Sequence, residues 1–337
     1  MNQLRLDPLS GRWVAVSTDR EHTVTFTPRQ APRLDNSDSC PFCPGHEEGS
    51  TPSLELLGAD GKWRVRVVPN RYPAFSGDDP FVVNHRGPVY TEAPASGIHE
   101  VLVFSPDHQL TWADFDDEQA SLVMRAMRDR TETHRTTAGL RYSQAIVNAG
   151  REAGASIDHP HGQLLGIPFV PRELVDEQGG FARFAGGCLL CTANESEERV
   201  GYRVVERHPA TITYAPYWSG TPYEMLIAPR IHQAHFHLAT DEALAAIGVA
   251  IRNALAALRH TVGDVAYNVV FHAAPYRALA PFHWHVHILP KLVTRAGFEL
   301  GTGVYINVVS PERAAGDLRA SVKAVASAAH TAEDVAS

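Results

Sequence analysis

The sequence predicts an α+β protein in which two copies of one αβ unit pack as a pseudo-symmetric pair. The first reason is length, because 337 residues are enough for about two ordinary domains. The second reason is an internal repeat: a cysteine pair, a strand, a capped helix and a histidine-rich strand follow one another twice. The step from His108 to His159 is 51 residues, and the step from His232 to His283 has the same length.

The first unit contains these elements in order. Strand-forming residues open the chain, and a polar stretch leads to the first cysteine pair. Acidic residues at 114–118 predict a helix start, because carboxylates stabilise the amino-terminal end of a helix dipole. Apolar or alternating runs predict strands at 13–16, 63–68, 100–104 and 142–148, and a glycine-bearing loop at 150–156 leads into the histidine strand.

The second unit repeats this order. Its cysteine pair is Cys188 and Cys191, where the first unit has Cys40 and Cys43. Its helix is predicted to begin near Thr240 and to end at Gly263, while the corresponding strands are predicted at 224–229, 267–271 and 283–289. Because one such unit is too small to be a comfortable domain, we expect the two to pack against each other.

Charge and composition argue against two classes of partner. The chain has 30 basic and 38 acidic residues and no basic stripe, which argues against a nucleic-acid surface. No apolar run approaches the roughly 18 residues of a membrane span, and the start lacks the apolar core of a signal peptide. With 44% apolar residues, we expect a soluble, cytoplasmic, globular protein with neither nucleic acid nor membrane as a partner.

The string DHPHGQ at 158–163 is the chemical centre of the sequence. In an extended strand His159, His161 and Gln163 share one face, since side chains two apart point the same way. A neutral imidazole attacks phosphorus well, because its ordinary pKa near 6.5 leaves it mostly unprotonated at neutral pH. The alternative is that the histidine pair only binds a metal or supports the fold.

The four cysteines form two Cys-x-x-Cys pairs, which in a cytosolic chain bind metal more often than they form disulfides. A reactive thiol pair is the alternative. The repeat predicts two sets of two thiolates and two imidazoles, which suit Zn²⁺. Since each set fills all four positions, we expect two closed, structural zinc sites per chain, with the metal on His159 holding His161 in register. The sets are Cys40, Cys43, His108 and His159 in the first unit and Cys188, Cys191, His232 and His283 in the second.

Several motifs together resemble one enzyme family. The string at 159–163 resembles the active-site string of the galactose-1-phosphate uridylyltransferases, the transferase branch of the histidine-triad superfamily. Further resemblances extend over most of residues 5–320: RLDPLSGRW at 5–13, CPFCPG at 40–45, PNRYPAF at 69–75, HEV at 99–101, SPDH at 105–108 and GFE at 297–299. The family implies two histidine-triad-like domains with mainly antiparallel sheets, here at 1–172 and 173–320, followed by a tail at 321–337.

The resemblance also implies a reaction and a homodimer whose sites borrow residues from the partner. His161 would attack the α-phosphorus of UDP-glucose and then pass the nucleotidyl group to galactose 1-phosphate, with ping-pong kinetics. Gln163 would donate a hydrogen bond to a phosphoryl oxygen but could not act as a general acid. The other implied contacts are Ser156 and Asn148 to phosphoryl oxygens, Asn70 to the nucleotide and Arg20 to the sugar phosphate.

The sequence also offers an alternative set of ligands for the second metal ion. Relatives of this family hold a metal with a glutamate and three histidines, which correspond to Glu177, His272, His285 and His287. Those relatives lack the second cysteine pair, so we favour the cysteine set here and interpret Glu177 and His272 as ordinary polar residues. His285 is also the formal equivalent of His161 and an alternative nucleophile, although we interpret the second triad as mainly structural.

Two departures from the family pattern bear on the substrate. Arg71 follows Asn70, where many relatives have an acidic residue, and Thr23 stands where the family has a second arginine. These departures weaken the assignment of uridine and galactose 1-phosphate more than that of nucleotidyl transfer. A nucleotide-sugar phosphorylase or adenylyltransferase of the same branch is therefore the alternative enzyme, and a non-catalytic nucleotide-binding zinc module is the alternative from another class.

Overall fold

The computed structural model describes residues 2–20, 37–46, 51–279 and 281–336. The first half is mainly strands, with one long helix. The strands are β1 (Gln3–Leu6), β2 (Trp13–Val16), β3 (Leu54–Leu57), β4 (Trp63–Pro69), β5 (Asn84–Arg86), β6 (Tyr90–Glu92), β7 (Ile98–Val103), β8 (Tyr142–Ala149) and β9 (His161–Ile167), and helix α1 (Asp117–Thr136) connects β7 to β8.

The second half adds six strands and five helices. In chain order they are α2 (Arg172–Arg183), α3 (Leu189–Val200), β10 (Val204–Arg207), β11 (Thr211–Tyr214), β12 (Met225–Pro229), α4 (Asp241–Val262), β13 (Tyr267–His272), β14 (His285–Pro290), α5 (Gly297–Thr302), β15 (Tyr305–Asn307) and α6 (Pro311–Ala336). Helix α4 begins where the sequence predicts, because the Thr240 side chain accepts the N–H of Ala243.

Both halves share one ten-stranded sheet. Its order is β10-β11-β12-β14-β13-β8-β9-β7-β4-β3, and every pair in it is antiparallel. The order is symmetric about the pairing of β13 with β8, where Asn268 lies opposite Asn148. The predicted α+β fold with two antiparallel units in a pseudo-symmetric pair is confirmed.

Helices α1 and α4 pack against each other over one face of this sheet and form the main core. Strand residues of both halves, such as Leu164 of β9 and Ile288 of β14, are buried in that core. Because strand side chains alternate, their neighbours His161, Gln163 and His285 point to the opposite face. The chemistry-bearing side chains therefore lie on the face that α1 and α4 leave free.

Close packing around position 162 explains why the histidine string contains a glycine there. Gly162 lies between His161 and Gln163 and so faces the helices, where a Cβ would come within 2.6 Å of the Phe104 ring and 2.9 Å of the carbonyl oxygen of Ile146. Only glycine fits at this position without moving the ring or the backbone.

A small second sheet ties the chain ends together. It has the order β1-β2-β15, and β15 runs parallel to β2. Arg5 of β1 is buried, forms an ion pair with Glu312 of α6 and lies over the ring of Tyr217. The domain boundaries at 172 and 320 stay a prediction, and the expected tail at 321–337 continues helix α6 as far as Ala336.

No helix in the described ranges is long and apolar enough to cross a membrane.

Helix α2 contains two adjacent glycines that give a matched test of how it docks on the amino-terminal segment. A Cβ at Gly180 would overlap the carbonyl oxygen of Leu9, whereas at Gly179 it would meet only the mobile end of the Arg183 side chain. We expect Gly180→Ala to lower the free energy of unfolding by about 1–3 kcal/mol, as overpacking does. Gly179→Ala should be neutral or stabilising by up to about 1 kcal/mol, since alanine favours helix. Denaturant titration measures both, and equal effects would contradict this packing.

Candidate functional site

His161 opens strand β9 and is buried, with 8% of its surface exposed. Its Nδ1 lies 2.8 Å from the carbonyl oxygen of His159, so Nδ1 carries the proton and donates it there. Burial lowers the pKa of His161, and the hydrogen bond to His159 only partly opposes this. None of the described residues hydrogen-bonds to Nε2. The side chain is therefore a neutral imidazole whose free lone pair is on Nε2.

The first cysteine pair lies next to this imidazole. The Phe42 ring, between the two cysteines, is 5.4 Å from the His161 ring, measured between centroids. The Sγ of Cys43 lies 3.4 Å from Nδ1 of His108 and 3.6 Å from Nδ1 of His159, and the two nitrogens are 3.3 Å apart. These separations match the edges of a zinc tetrahedron, roughly 3.3–3.8 Å for ordinary Zn–N and Zn–S bonds.

The protonation of this group also suits a metal. Nε2 of His159 lies 2.7 Å from the carbonyl oxygen of Ser105, so it donates there and leaves Nδ1 as the ligand atom. Burial lowers the pKa of His159 to about 4, against the opposing effect of that hydrogen bond. All four predicted ligands, Cys40, Cys43, His108 and His159, are buried with their ligand atoms within 4.8 Å of one another, so they can hold a metal ion.

The second cysteine pair is arranged in the same way. The Sγ of Cys191 lies 3.3 Å from Nδ1 of His283 and 3.7 Å from Nδ1 of His232. Nε2 of His283 donates to the carbonyl oxygen of Pro229 at 3.0 Å, three residues before His232, as His159 donates to Ser105 three residues before His108. With Cys188 the predicted second set is complete. It is more open than the first, since His232 is exposed.

A third group lies on the free face of the second half: Glu177, His272, His285 and His287. Nδ1 of His272 lies 2.6 Å from Oε1 of Glu177. The other carboxylate oxygen of Glu177 and Nε2 of His285 are both buried without a hydrogen-bond partner, as expected of atoms that face a cation. The two second metal sets that the sequence offers as alternatives are thus both assembled, and Glu177 and His272 are not isolated polar residues.

A cleft of about 1160 Å³ adjoins this third group. Its wall includes three cationic side chains, Arg12, Lys291 and Arg295, and the guanidinium groups of Arg12 and Arg295 lie 4.6 and 4.1 Å from the ring centroid of Tyr305. His161 does not line this cleft. The wall also includes six carboxylates, so the cleft is of mixed charge, and within one chain it is separate from the candidate nucleophile.

The remaining predicted site residues lie at different depths around β9. Gln163 follows His161 on the same face, and Asn148 of β8 is on that face too, opposite Asn268. Asn70 directly follows β4, and Ser156 is exposed in the loop before β9. The side chain of Arg20 and the whole of Thr23 lie outside the described residues.

Two neighbours of these side chains are not identified by the sequence. His99 of β7 reaches Gln163 and Asn70, with its Nε2 at 2.9 Å from Oε1 of Gln163 and 3.1 Å from Nδ2 of Asn70. Asn268 of β13 donates to Asn148 across the joint between the two halves, at 2.7 Å. The HEV motif at 99–101 and the repeated strand at 267–271 were the available signals, but neither reveals which strand lies next to which.

Known proteins match this chain over nearly its whole length. ADP-glucose phosphorylase of Arabidopsis thaliana is 31% identical over 333 residues, covering 94% of this chain and 92% of that protein. Galactose-1-phosphate uridylyltransferase of Thermotoga maritima is 28% identical over 333 residues, covering 95% and 98%. The crystal structure of the Arabidopsis thaliana ADP-glucose phosphorylase with bound ADP-glucose superposes with a TM-score of 0.81 at 28% identity, covering 95% of this chain and 98% of that one.

These matches place the chain among enzymes that transfer nucleotidyl groups of sugar nucleotides. The family profile described as the amino-terminal domain of galactose-1-phosphate uridyl transferase matches residues 1–171. The chain belongs to the galactose-1-phosphate uridyl transferase family. The family resemblance of the sequence motifs is confirmed.

Proposed function

We propose that this enzyme moves a nucleoside monophosphate from a nucleotide sugar to a phosphate acceptor through a covalent intermediate on His161. The observation that supports this most is the protonation of the His161 imidazole, which leaves the lone pair of Nε2 free. Its Nδ1–H is committed to the carbonyl oxygen of His159, its burial keeps it neutral, and its Nε2 is left without a partner among the described residues. Such a nitrogen needs no separate base to become a nucleophile.

The chemistry is two displacements at one phosphorus. In the first, Nε2 of His161 forms a bond to the α-phosphorus of the donor while the bond to the bridging oxygen breaks, and sugar 1-phosphate leaves with the electron pair. In the second, an oxygen of the acceptor phosphate attacks the same phosphorus, and the electron pair of the P–N bond returns to the imidazole. The Nδ1 proton stays in place throughout, where the carbonyl of His159 stabilises the positive ring of the intermediate.

Gln163 makes transfer more probable than hydrolysis in this scheme. An amide can donate a hydrogen bond to a non-bridging phosphoryl oxygen, but it cannot protonate a leaving group or deprotonate water. Sugar 1-phosphate is already a stable anion and needs no proton to leave. In our proposal Asn148 and Ser156 also donate to phosphoryl oxygens, Asn70 contacts the nucleotide and Arg20 contacts the sugar phosphate.

For the substrates we propose ADP-glucose as donor and inorganic phosphate as acceptor. The match to ADP-glucose phosphorylase, at 31% identity and a TM-score of 0.81, and the replacement of an acidic residue by Arg71 beside Asn70 support this choice. UDP-glucose and galactose 1-phosphate, which the sequence motifs imply, are the second candidate pair, supported by the 28% identity to the Thermotoga maritima uridylyltransferase.

The proposal includes two zinc ions and a homodimer. One zinc would be held by Cys40, Cys43, His108 and His159, and the other by Cys188, Cys191, His232 and His283. Both ions would be structural, since each set has four protein ligands. A homodimer is supported by the exposed apolar side chains of the β5–β6 hairpin, where Val89 is 74% and Tyr90 70% exposed.

The covalent intermediate gives the first test. Enzyme mixed with ADP-glucose and no acceptor should release about one glucose 1-phosphate per active site and then stall, because Gln163 cannot activate water. The nucleotide should stay on the protein, resist base and come off in mild acid, as a phosphorus–nitrogen bond does. His161→Ala should abolish the labelling, whereas His285→Ala should retain it. Labelling that persists without His161, or free nucleotide released continuously without acceptor, would contradict the scheme.

A crossed panel of donors and acceptors tests the substrates. ADP-glucose and UDP-glucose are each mixed with the enzyme, and the stalled protein is given inorganic phosphate or galactose 1-phosphate. We expect ADP-glucose to give the faster burst and phosphate to discharge it as ADP. Faster labelling by UDP-glucose, discharged by galactose 1-phosphate as a nucleotide sugar, would instead establish the second candidate pair.

Metal content tests the zinc sites. Elemental analysis should find two zinc ions per chain, and Cys188→Ser should remove one of them while leaving residual activity, because two strands of the sheet lie between β14, which His283 precedes, and β9, which carries His161. Losing a structural ion worth a few kcal/mol should lower the thermal midpoint by roughly 5–10 °C. A single ion unaffected by Cys188→Ser would refute the second set, and an extra ion lost in His272→Ala would place a metal in the third group.

A further inference from the structure

The two amide side chains of the site share an arrangement that the proposed roles do not require. Gln163 and Asn148 each have their carbonyl oxygen next to a donor from a neighbouring strand. Oε1 of Gln163 lies 2.9 Å from Nε2 of His99, and Oδ1 of Asn148 lies 2.7 Å from Nδ2 of Asn268. Each contact fixes which end of the amide points into the site, once it is known which atom of the neighbouring side chain carries the hydrogen.

The polarity of His99 follows from a backbone group. The N–H of Ala74 lies 3.1 Å from Nδ1 of His99, and an N–H can only donate. Nδ1 therefore carries the lone pair of a neutral ring and Nε2 carries the proton. The atom of Gln163 that faces Nε2 must be its oxygen, because with the amino group there the proton on Nε2 would have no acceptor.

Asn70 does not change this assignment. Its Oδ1 accepts the N–H of Tyr72 at 2.8 Å, so its amino group is the end that lies 3.1 Å from Nε2 of His99. Two donors cannot bond to each other, so the proton on Nε2 is directed to Gln163.

The polarity of Asn268 also follows from a backbone group. Its Nδ2 lies 2.8 Å from the carbonyl oxygen of Ala153, which can only accept. That atom is therefore the amino nitrogen, and its second hydrogen goes to Asn148. The amino group of Asn148 is turned to the other side, where a Cβ on Gly154 would lie 3.8 Å from it.

Both amino groups are left free as donors. No described residue accepts from Nε2 of Gln163 or from Nδ2 of Asn148, and both side chains lie on the sheet face of His161. A flipped amide would instead present its carbonyl oxygen to an anionic phosphoryl oxygen, which is repulsive. Resting on the proposed function, we propose that His99 and Asn268 are positioning residues that hold these two amides with their amino groups toward the phosphoryl oxygens of the group on His161.

One strand pair and one loop are thereby linked to the site. His99 is diagonal to Gln163 across β7 and β9, since Val101 is the residue directly opposite Gln163. Through Ala74 it also holds the loop after Asn70. Asn268 comes from the other half of the chain, so the second unit contributes to the site of the first.

A pair of substitutions at His99 separates positioning from packing. The amide of His99→Asn ends near the place of Nδ1, so it can accept from Ala74 but cannot reach Gln163. The amide of His99→Gln ends near the place of Nε2, so it can still donate to Gln163. We expect His99→Asn to slow single-turnover labelling by ADP-glucose about 10- to 100-fold, as loss of an orienting partner does, with the thermal midpoint little changed. His99→Gln should recover most of the rate.

Equal loss in the two variants, or a wild-type rate in His99→Asn, would overturn the role of His99. Titration of each variant with ADP by calorimetry keeps the test independent of turnover. If the wild-type protein binds ADP without ever becoming labelled, the proposed function fails. Even then His99→Asn should weaken ADP binding and His99→Gln should restore it, and identical dissociation constants would overturn the inference by itself.

A double-mutant cycle tests Asn268. Asn268→Asp keeps the shape but replaces the donor with an acceptor, so Asn148 should turn its amino group inward and labelling should slow about 10-fold or more. In an Asn148→Ala background the same substitution should have a much smaller effect, because only the bond from Asn268 to the carbonyl oxygen of Ala153 is then left to lose. Independent, additive losses from Asn268→Asp and Asn148→Ala would overturn the role of Asn268.

Discussion

The pairing of β8 with β13 is the interaction on which the rest of this molecule depends. It joins two five-stranded half-sheets into one, and without it each half would expose the edge of a central strand. It also brings α1 and α4 together over the main core, to which both halves contribute. Because the joint sets Asn268 opposite Asn148, the same backbone pairing that unites the core completes the site.

The two halves use one backbone arrangement for different chemistry. In both halves a histidine, His159 before β9 or His283 before β14, donates its Nε2–H to a backbone carbonyl and turns its Nδ1 toward a cysteine pair. The first residue of the strand, His161 or His285, donates its own Nδ1–H to the carbonyl oxygen of that histidine. The halves differ two residues further on, where the first has Gln163 and the second has His287. In the proposed function the amide of Gln163 donates to a phosphoryl oxygen, whereas the imidazole of His287 joins Glu177, His272 and His285 in a group that could hold a metal ion.

The sequence predicts the parts of this site that depend on spacing, but not those that depend on which strands become neighbours. The repeat of 51 residues was enough to predict both Cys2His2 sets, and strand alternation was enough to place His161 and Gln163 on one face. His99 could not be predicted as a neighbour of Gln163, because that contact follows from the register of β7 against β9. The third group is named in the sequence only through the family resemblance and is not the preferred set there, since Glu177 and His272 are 95 residues apart and meet only through the docking of α2.

The contacts between the two ends of the sequence affect the order in which the protein folds during synthesis. Arg5 bonds to Glu312 across 307 residues, and β2 finds its parallel partner only in β15. At synthesis rates of about 5–20 residues per second, β1 and β2 are made roughly 15–60 seconds before these partners. Until α2 is made and docks against Leu9, β1 and β2 form at most an isolated hairpin, which is marginally stable in water. The beginning of the chain is therefore among the last parts to reach its final place, and a nascent chain truncated before β15 would leave it uncovered.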